Sequence, residues 1–173
     1  MGGAPSIGGI FTQRIVVGVG DQAVSNNATA TVSTYALGSC VAVVTFDKGT
    51  GVGGILHVML PESKLSPDKA RNQPAMFADT GLRVFFRDLQ GLGANTRNQR
   101  IVLAGGAAVL SGSDSFKIGE RNTAAIRQIL NGAGLRACFE DVGGVTNRTL
   151  HLTLSNGTLE IKMPSGNRYV EMA

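Results

Sequence analysis

The sequence predicts an α+β fold, a layered sandwich of mostly antiparallel and mixed β-sheet with flanking helices. About seven or eight segments have the short, β-branched composition of strands, whereas only two carry the apolar stripe of a substantial helix. The strands follow one another as hairpins more often than they alternate with helices, which disfavours a doubly wound parallel sheet. Hydrophobic residues make up 43% of the 173 residues, so the chain can form a core without a metal or a disulfide framework.

The first half of the chain predicts four strands ahead of the first helix. Residues 1–13 are rich in glycine, and we expect a flexible extension there, followed by a single domain over residues 14–173. Short apolar segments bounded by glycines or polar turns predict strands at residues 14–20, 29–35, 41–47 and 52–60. Residues 61–73 are polar and contain proline and serine, so they predict a surface loop.

The second half predicts two helices and four further strands. Apolar residues recur at mostly three- and four-residue spacing over residues 74–92, which predicts the first helix. The second is predicted over residues 120–133, with Gly134 as its C-terminal cap. Strands are predicted at residues 100–104, 135–142, 149–154 and 159–163. Asn156-Gly157 lies between the last two and predicts a two-residue type I′ hairpin.

Composition and charge disfavour several classes of function. Lys and Arg number 16 against 12 Asp and Glu, which gives a net charge of +4 with no basic cluster, and aromatic residues are only 5% with no Trp. Nucleic-acid binders combine clustered charge with stacking aromatics, so we expect no nucleic-acid partner. No segment approaches the roughly 18 apolar residues of a membrane span, so no membrane insertion is expected. Two cysteines are no disulfide framework, which predicts a reduced, cytoplasmic protein.

Neither a dinucleotide nor a metal site is predicted. Gly18, Gly20 and Ala23 match the spacing of a dinucleotide-binding turn, but the mechanism requires a helix next, and residues 24–29 are prone to turns and strands. The two cysteines and two histidines are scattered along the chain without the short spacing of metal ligands. We therefore expect no cofactor and no metal.

Cys40 and His57 form the most informative pair, because the chain between them predicts a hairpin. If Lys48 and Gly49 are the two central turn residues, Cys40 lies directly opposite His57. Directly opposed side chains share a face, with Cβ atoms roughly 4.5–5.5 Å apart. That separation suits a thiol–imidazole pair, in which the base activates the thiol as a nucleophile. A four-residue loop would instead shift the register by two and make the pair diagonal.

The flanking residues fit the same chemistry. Gly38 and Ser39 precede Cys40 and can present backbone N–H groups to an oxyanion. Thr34 lies on an extended segment six residues upstream, and its hydroxyl can orient the imidazole. A structural interpretation competes with this one, since a cysteine opening an apolar strand is usually a small core residue and a strand histidine is often only hydrogen-bonded. Spacing alone favours the structural interpretation.

Several ordered motifs resemble the CheD family of chemoreceptor glutamine deamidases. They are TYALGSCV at residues 34–41, GGILHVMLP at 53–61, FADT at 77–80, GGA at 105–107, IGERN at 118–122 and EDVGG at 140–144. The resemblance extends over roughly residues 15–163. Two positions depart from the family pattern: Asn147-Arg148 stands where Gly-Arg is common, and Val58 stands where a bulkier aromatic residue is common.

The resemblance implies a cysteine hydrolase with a Cys–His–Thr triad and a fold related to the catalytic domain of cytotoxic necrotizing factor toxins. Carried onto this chain, Cys40 is the nucleophile, His57 the base and Thr34 the orienting residue, and no cofactor is required. The implied substrates are glutamine side chains on the cytoplasmic region of methyl-accepting chemotaxis receptors. For Cys40 and His57, the resemblance outweighs the structural interpretation.

Three alternatives to receptor deamidation stay open. The same acyl-enzyme chemistry would hydrolyse glutamyl methyl esters on the receptors. The chain would otherwise act mainly as a regulatory partner of a CheC-type phosphatase, a role that the resemblance also implies. The weakest alternative is an amidase for small amides such as free glutamine, and no motif for an enclosed pocket supports it.

Overall fold

In the computed structural model, which describes residues 12–109 and 116–173, ten strands and three α-helices are formed. The strands are β1 (Gln13–Val17), β2 (Gln22–Ser25), β3 (Ala30–Leu37), β4 (Val41–Asp47), β5 (Val52–Val58), β6 (Gln99–Gly105), β7 (Phe139–Val142), β8 (Arg148–Thr153), β9 (Thr158–Met163) and β10 (Gly166–Glu171). The helices are α1 (Pro67–Asn72), α2 (Ala78–Gly91) and α3 (Ile118–Gly132), with short 3₁₀ turns at Ser63–Leu65, Pro74–Met76 and Thr96–Asn98.

The strands form two five-stranded sheets. The outer sheet has the order β1-β3-β8-β9-β10, and the middle sheet has the order β2-β5-β4-β6-β7. Each is antiparallel except for one parallel pair, β1 with β3 and β6 with β7. This arrangement, with few helices, confirms the predicted α+β class of mostly antiparallel and mixed sheets.

The chain packs in three layers, with the middle sheet between the outer sheet and the helices. One apolar core joins residues of both sheets, including Val32 and Leu150 from the outer sheet and Ala42 and Val44 from the middle sheet. A second core joins the opposite face of the middle sheet to α2 and α3. Because β4 and β5 are covered on both faces, all seven residues of each are buried.

The long apolar elements lie close to their predicted positions, and β4 has the predicted bounds. The 61–73 loop prediction was wrong, since that stretch contains a 3₁₀ turn and the six-residue helix α1. No residue of α1 is buried, so it has no apolar stripe by which periodicity could identify it.

Two strands and one turn also depart from expectation. Strand β2 has only four residues, and β10 is an exposed edge strand paired with β9 alone, so neither carries a core pattern. The β8–β9 connection has four residues, because Thr153 pairs with Thr158, and the predicted two-residue turn was therefore wrong.

The predicted N-terminal extension falls mostly outside the described residues. Of residues 1–13, only 12 and 13 are described, and Gln13 begins β1. Across the described part of the chain, no helix has the length and apolar character needed to cross a membrane.

Candidate active site

Cys40 lies in a turn, residues 38–40, between β3 of the outer sheet and β4 of the middle sheet. The β3–β8 register shifts between Thr34 and Leu37, and Ala36 adopts a positive φ of 54° there. A left-handed backbone is unfavourable for alanine, so the chain is strained just before the turn. The side chain of Cys40 is half-buried and packs against the core between the two sheets.

The hairpin places His57 diagonal to Cys40. Ala42 pairs with His57 and Asp47 with Val52, so the connecting loop has four residues, 48–51. The direct opposition of Cys40 and His57 was therefore wrong, and the diagonal register is the one that forms. The backbones of diagonal neighbours on two paired strands are roughly 7–8 Å apart, a separation that long or aromatic side chains can still bridge.

The carboxylate of Asp47 explains the longer loop. Its Oδ1 accepts a 2.8 Å hydrogen bond from the Gly49 N–H, and its backbone oxygen accepts a 2.8 Å bond from the Gly51 N–H. Gly51 has a φ of +70°, which suits glycine at the end of such a loop. These contacts close four residues rather than two.

Thr34 reaches His57 from the opposite sheet. The Thr34 hydroxyl donates to the backbone oxygen of Val17 at 2.8 Å, and its oxygen lies 2.7 Å from His57 Nδ1. Since the single hydroxyl proton is used by Val17, the hydroxyl oxygen must accept from Nδ1–H. The proton of the neutral imidazole therefore sits on Nδ1, and Nε2 keeps a lone pair.

The lone pair on Nε2 has no hydrogen-bond partner among the described residues. His57 is only 1% exposed, and Nε2 is itself buried. Desolvation by burial disfavours the imidazolium and lowers the pKa of His57 to about 4. Near neutral pH, His57 is thus an unprotonated base held in one tautomer.

The thiol of Cys40 is also neutral at rest. Burial raises its pKa, and a hydrogen bond from its own backbone N–H opposes that effect in part. Within the described residues, no hydrogen bond joins this thiol to His57. The site therefore holds a thiol and a neutral imidazole, an arrangement suited to general-base activation of a nucleophile.

Each carbonyl of the 38–40 turn is fixed by a donor. Ala107 N–H donates to the Gly38 oxygen at 2.8 Å, and Gly106 N–H donates to the Cys40 oxygen at 2.8 Å. The side chain of Asn122 donates to the Ser39 oxygen at 3.1 Å. A Cβ on Gly105 would lie 2.2 Å from the Cys40 oxygen, so this close approach requires glycine. The N–H groups of Ser39 and Cys40 donate to no other residue in the described ranges.

A buried ion pair supports the loop beside the turn. Arg148 donates to Asp141 Oδ1 at 3.0 and 2.8 Å, and to the backbone oxygens of Gly143 and Thr146 at 3.0 and 3.1 Å. In the same loop, the Gly144 oxygen accepts a 2.8 Å hydrogen bond from the Ala108 N–H. Sequence reasoning identified this stretch and the 118–122 motif, but it assigned no role to Asn122 or Arg148. The backbone partners of Asn122 are 83 and 63 residues away in the sequence, whereas those of Arg148 lie in the adjoining loop, whose conformation has no periodic pattern.

The structure brings together the candidate residues from three separate segments of sequence. Thr34 and His57 are in direct contact. Cys40 immediately precedes β4, the strand that pairs with β5 of His57, and Gly38 and Ser39 precede Cys40 in the same turn. In residues 12–109 and 116–173, no group of three or more His, Cys, Asp or Glu side chains is placed to hold a metal ion.

Comparison with known proteins agrees with the resemblance seen in the sequence. A family model described as CheD chemotactic sensory transduction matches residues 59–163, a stretch that begins just after His57. A protein of Syntrophotalea carbinolica named "Probable chemoreceptor glutamine deamidase CheD" is 38% identical over 157 residues, which cover 90% of this chain and 97% of the relative. A protein of Pyrococcus abyssi with the same name is 39% identical over 163 residues, which cover 93% of this chain and 98% of the relative.

Proposed function

The chain belongs to the CheD family, and from this premise we propose that it is a protein-glutamine glutaminase that deamidates glutamine side chains on the cytoplasmic region of methyl-accepting chemotaxis receptors. One observation carries the proposal beyond the family name. Thr34 fixes the proton of His57 on Nδ1, and Nε2 has no hydrogen-bond partner within residues 12–109 and 116–173. His57 lies on the strand that pairs with the one following Cys40. Such an arrangement is what a thiol nucleophile and its general base require.

In the first half-reaction, the amide becomes a thioester. The Cys40 sulfur attacks the side-chain carbonyl carbon of glutamine while Nε2 of His57 takes the thiol proton. A new S–C bond forms, and the carbonyl oxygen becomes an oxyanion that accepts from the N–H groups of Ser39 and Cys40. Collapse of this intermediate breaks the C–N bond, and His57 delivers the proton to the leaving nitrogen, so ammonia departs.

In the second half-reaction, water releases the product. His57 takes a proton from water as the oxygen attacks the thioester carbon, and the C–S bond then breaks. The proton returns to sulfur and restores the thiol. The balance is one amide and one water consumed, and one carboxylic acid and one ammonia formed.

The two pKa shifts determine when the thiol becomes reactive. Because burial raises the pKa of Cys40 and lowers that of His57, a preformed thiolate–imidazolium pair is unfavourable at rest. Proton transfer to Nε2 therefore accompanies the attack. The neutral resting thiol is therefore less nucleophilic than a thiolate, and its reaction depends on proton transfer to His57.

The test of deamidation is intact-mass analysis of a receptor cytoplasmic fragment incubated with the wild-type chain or with Cys40→Ala. Each converted glutamine gains about 1 Da as nitrogen is replaced by oxygen. We expect the gain with wild type alone. An unchanged mass on a fragment that binds the wild-type chain would contradict the proposal.

Two alternatives use the same surface differently. Hydrolysis of glutamyl methyl esters would pass through the same thioester with methanol as the leaving group, and assays on matched amide and ester receptor fragments separate the two reactions. A mainly regulatory role on a CheC-type phosphatase predicts that Cys40→Ala keeps the full effect on chemotaxis. Loss of that effect in Cys40→Ala would favour the enzyme.

The remaining expectations follow from the same premise. We infer a cytoplasmic location, since the proposed substrate region lies there, and one domain over residues 14–173. We also infer a fold related to the catalytic domain of cytotoxic necrotizing factor toxins, supported by the two packed sheets with the candidate residues at their junction. Superposition on an experimentally determined toxin domain tests this last inference.

A further inference from the structure

Asn122 of α3 connects the segment that carries Cys40 to the segment that carries His57. Its side-chain nitrogen donates to the Ser39 oxygen at 3.1 Å and to the Met59 oxygen at 2.9 Å. Ser39 immediately precedes Cys40, and Met59 follows His57 by two residues. Asn122 is fully buried, so both protons of its amide group are used within the protein.

The hydrogen bond to Ser39 determines where the Cys40 N–H points. In a trans peptide the C=O and the following N–H are antiparallel, so fixing the Ser39 oxygen toward α3 directs the Cys40 N–H away from α3. The Cys40 side chain packs against the core between the sheets, on the face of the middle sheet opposite the helices. The N–H and the sulfur therefore lie on the same side of the turn, in agreement with the hydrogen bond between the thiol and its own backbone N–H.

The remaining atom of the Asn122 amide argues against a purely stabilising role. Its Oδ1 is buried with no hydrogen-bond partner among the described residues. An unsatisfied buried acceptor destabilises the folded state and offsets much of what the two donated bonds contribute. An apolar residue of similar size would remove that penalty but would leave the Ser39 and Met59 oxygens without this donor, so the contribution of the side chain lies in the two carbonyl groups that it holds.

A close helix contact brings Asn122 into range. A Cβ on Gly119 would lie 2.4 Å from the Gly106 oxygen, so only glycine lets the start of α3 pack against this loop. Gly106 itself donates to the Cys40 oxygen. Asn122 follows Gly119 by three residues, close to one helical turn, which places it on the same side of the helix.

We propose that Asn122 is a positioning residue that directs the backbone N–H of Cys40 toward the oxyanion formed on the sulfur-bound carbon. This inference deepens the proposed deamidase function, and rests on it for the natural substrate. The role itself is tested without a receptor, because any acyl donor that reacts with Cys40 forms such an oxyanion.

The experiment compares two reagents on the full chain in a Cys138→Ser background, which removes the exposed second thiol. With 4-nitrophenyl acetate, the sulfur forms a bond to the acyl carbon, nitrophenolate leaves, and an oxyanion forms on the way. With iodoacetamide, sulfur displaces iodide from a saturated carbon and no oxyanion forms. Both reactions are followed by the mass gained at Cys40.

In Asn122→Ala we expect the acylation rate to fall at least about tenfold. Removing an oxyanion donor outright lowers the rate roughly 10²–10³-fold, and this variant only misdirects the donor. The alkylation rate should change by less than about threefold. Asn122→Asp has the same shape without the two amide donors and should behave as Asn122→Ala does. Leu130→Ala, a buried change on the same helix away from the turn, is the matched control and should leave both rates near wild type.

Three results would overturn the inference. The first is acylation within about threefold of wild type in Asn122→Ala. The second is an equal loss of rate with both reagents, which would indicate general disorder of the site rather than a misdirected Cys40 N–H. The third is a wild-type chain whose Cys40 is not acylated at all. A wild-type chain that is acylated at Cys40 but does not deamidate a receptor fragment would refute the proposed substrate and leave the role of Asn122 standing.

Discussion

The two ends of the β4–β5 hairpin each bury a titratable side chain, and they treat it differently. At the loop end, Asp47 is fully buried, and its two carboxylate oxygens accept backbone N–H bonds from Gly49 and Asn95 at 2.8 Å each. At the open end, His57 is equally buried, but among the described residues only its Nδ1 has a hydrogen-bond partner. A fully hydrogen-bonded group stabilises the fold, whereas a group with one unpartnered atom retains reactivity there.

The largest effect should come from removing the base at the open end. His57→Asn keeps a side-chain N–H for the Thr34 hydroxyl but has no lone pair to take the thiol proton. We expect kcat/KM for receptor deamidation to fall by about 10⁴, or roughly 5 kcal/mol of transition-state stabilisation. Mass-based assays on a receptor fragment measure this, with thermal unfolding at pH 7 as the check on folding. Activity within tenfold of wild type would show that another group supplies the base.

At the loop end, the expected loss is one of stability. Asp47→Ala leaves the N–H groups of Gly49 and Asn95 without their acceptor, which should lower the free energy of unfolding by about 3–4 kcal/mol. Asp47→Asn keeps one acceptor oxygen and should lose less. Urea unfolding measures both, and activity per folded molecule should stay within about twofold. A tenfold loss of activity in stably folded Asp47→Asn would erase the distinction between the two ends.

The unpartnered Nε2 also predicts a pH dependence of stability. The unfolded imidazole titrates near pH 6.5, whereas burial lowers the folded pKa to about 4, so the unfolded chain binds a proton first as the pH falls. Stability is therefore retained above pH 6.5 and lost between about pH 6.5 and 4, by up to about 3 kcal/mol from this one group.

The variant His57→Asn separates this contribution from those of the carboxylates. Urea unfolding of wild type and variant at intervals from pH 7 to pH 4 should show the wild type losing stability relative to the variant as the pH falls, because only the unfolded wild-type chain is stabilised by taking up this proton. Parallel curves over this range would mean that His57 is solvated or paired in solution.

The same contrast separates what sequence could predict from what it could not. The α+β class, the β4 bounds and the formation of a β4–β5 hairpin between Cys40 and His57 all follow from local patterns of β-branched and periodic residues. The diagonal register does not, because the length of the loop depends on the buried Asp47 carboxylate. From the sequence alone, an aspartate whose carboxylate bonds to the following turn cannot be distinguished from a solvated aspartate.

Contacts between distant segments could not be predicted from local sequence patterns either. Thr34 was identified as a candidate from its hydroxyl and, through the resemblance, as the third member of a triad, but its contact with His57 crosses between two sheets. Asn122 donates to backbone oxygens 83 and 63 residues away in the sequence, and Arg148 donates to those of an irregular loop beside it, so neither set of contacts leaves a periodic signal. Positioning residues of this kind emerge only from packing.

The smallest of the expected effects tests whether the reactive end depends on that packing. Thr34→Val has nearly the same shape but removes the hydroxyl, so Nδ1–H of His57 loses its acceptor and the Val17 oxygen loses its donor. The imidazole is then no longer held in the tautomer that frees Nε2, and we expect kcat to fall about 10- to 30-fold, roughly 1.4–2 kcal/mol, with little change in KM. Thr34→Ser keeps the hydroxyl and should stay near wild type. Equal activity in Thr34→Val and Thr34→Ser would mean that the strand alone holds His57 in place. A loss confined to Thr34→Val would show that a residue of the outer sheet fixes the tautomer of His57 in the middle sheet. The reactive end of the hairpin would then require both sheets, whereas the Asp47 loop is closed by contacts that do not involve the outer sheet.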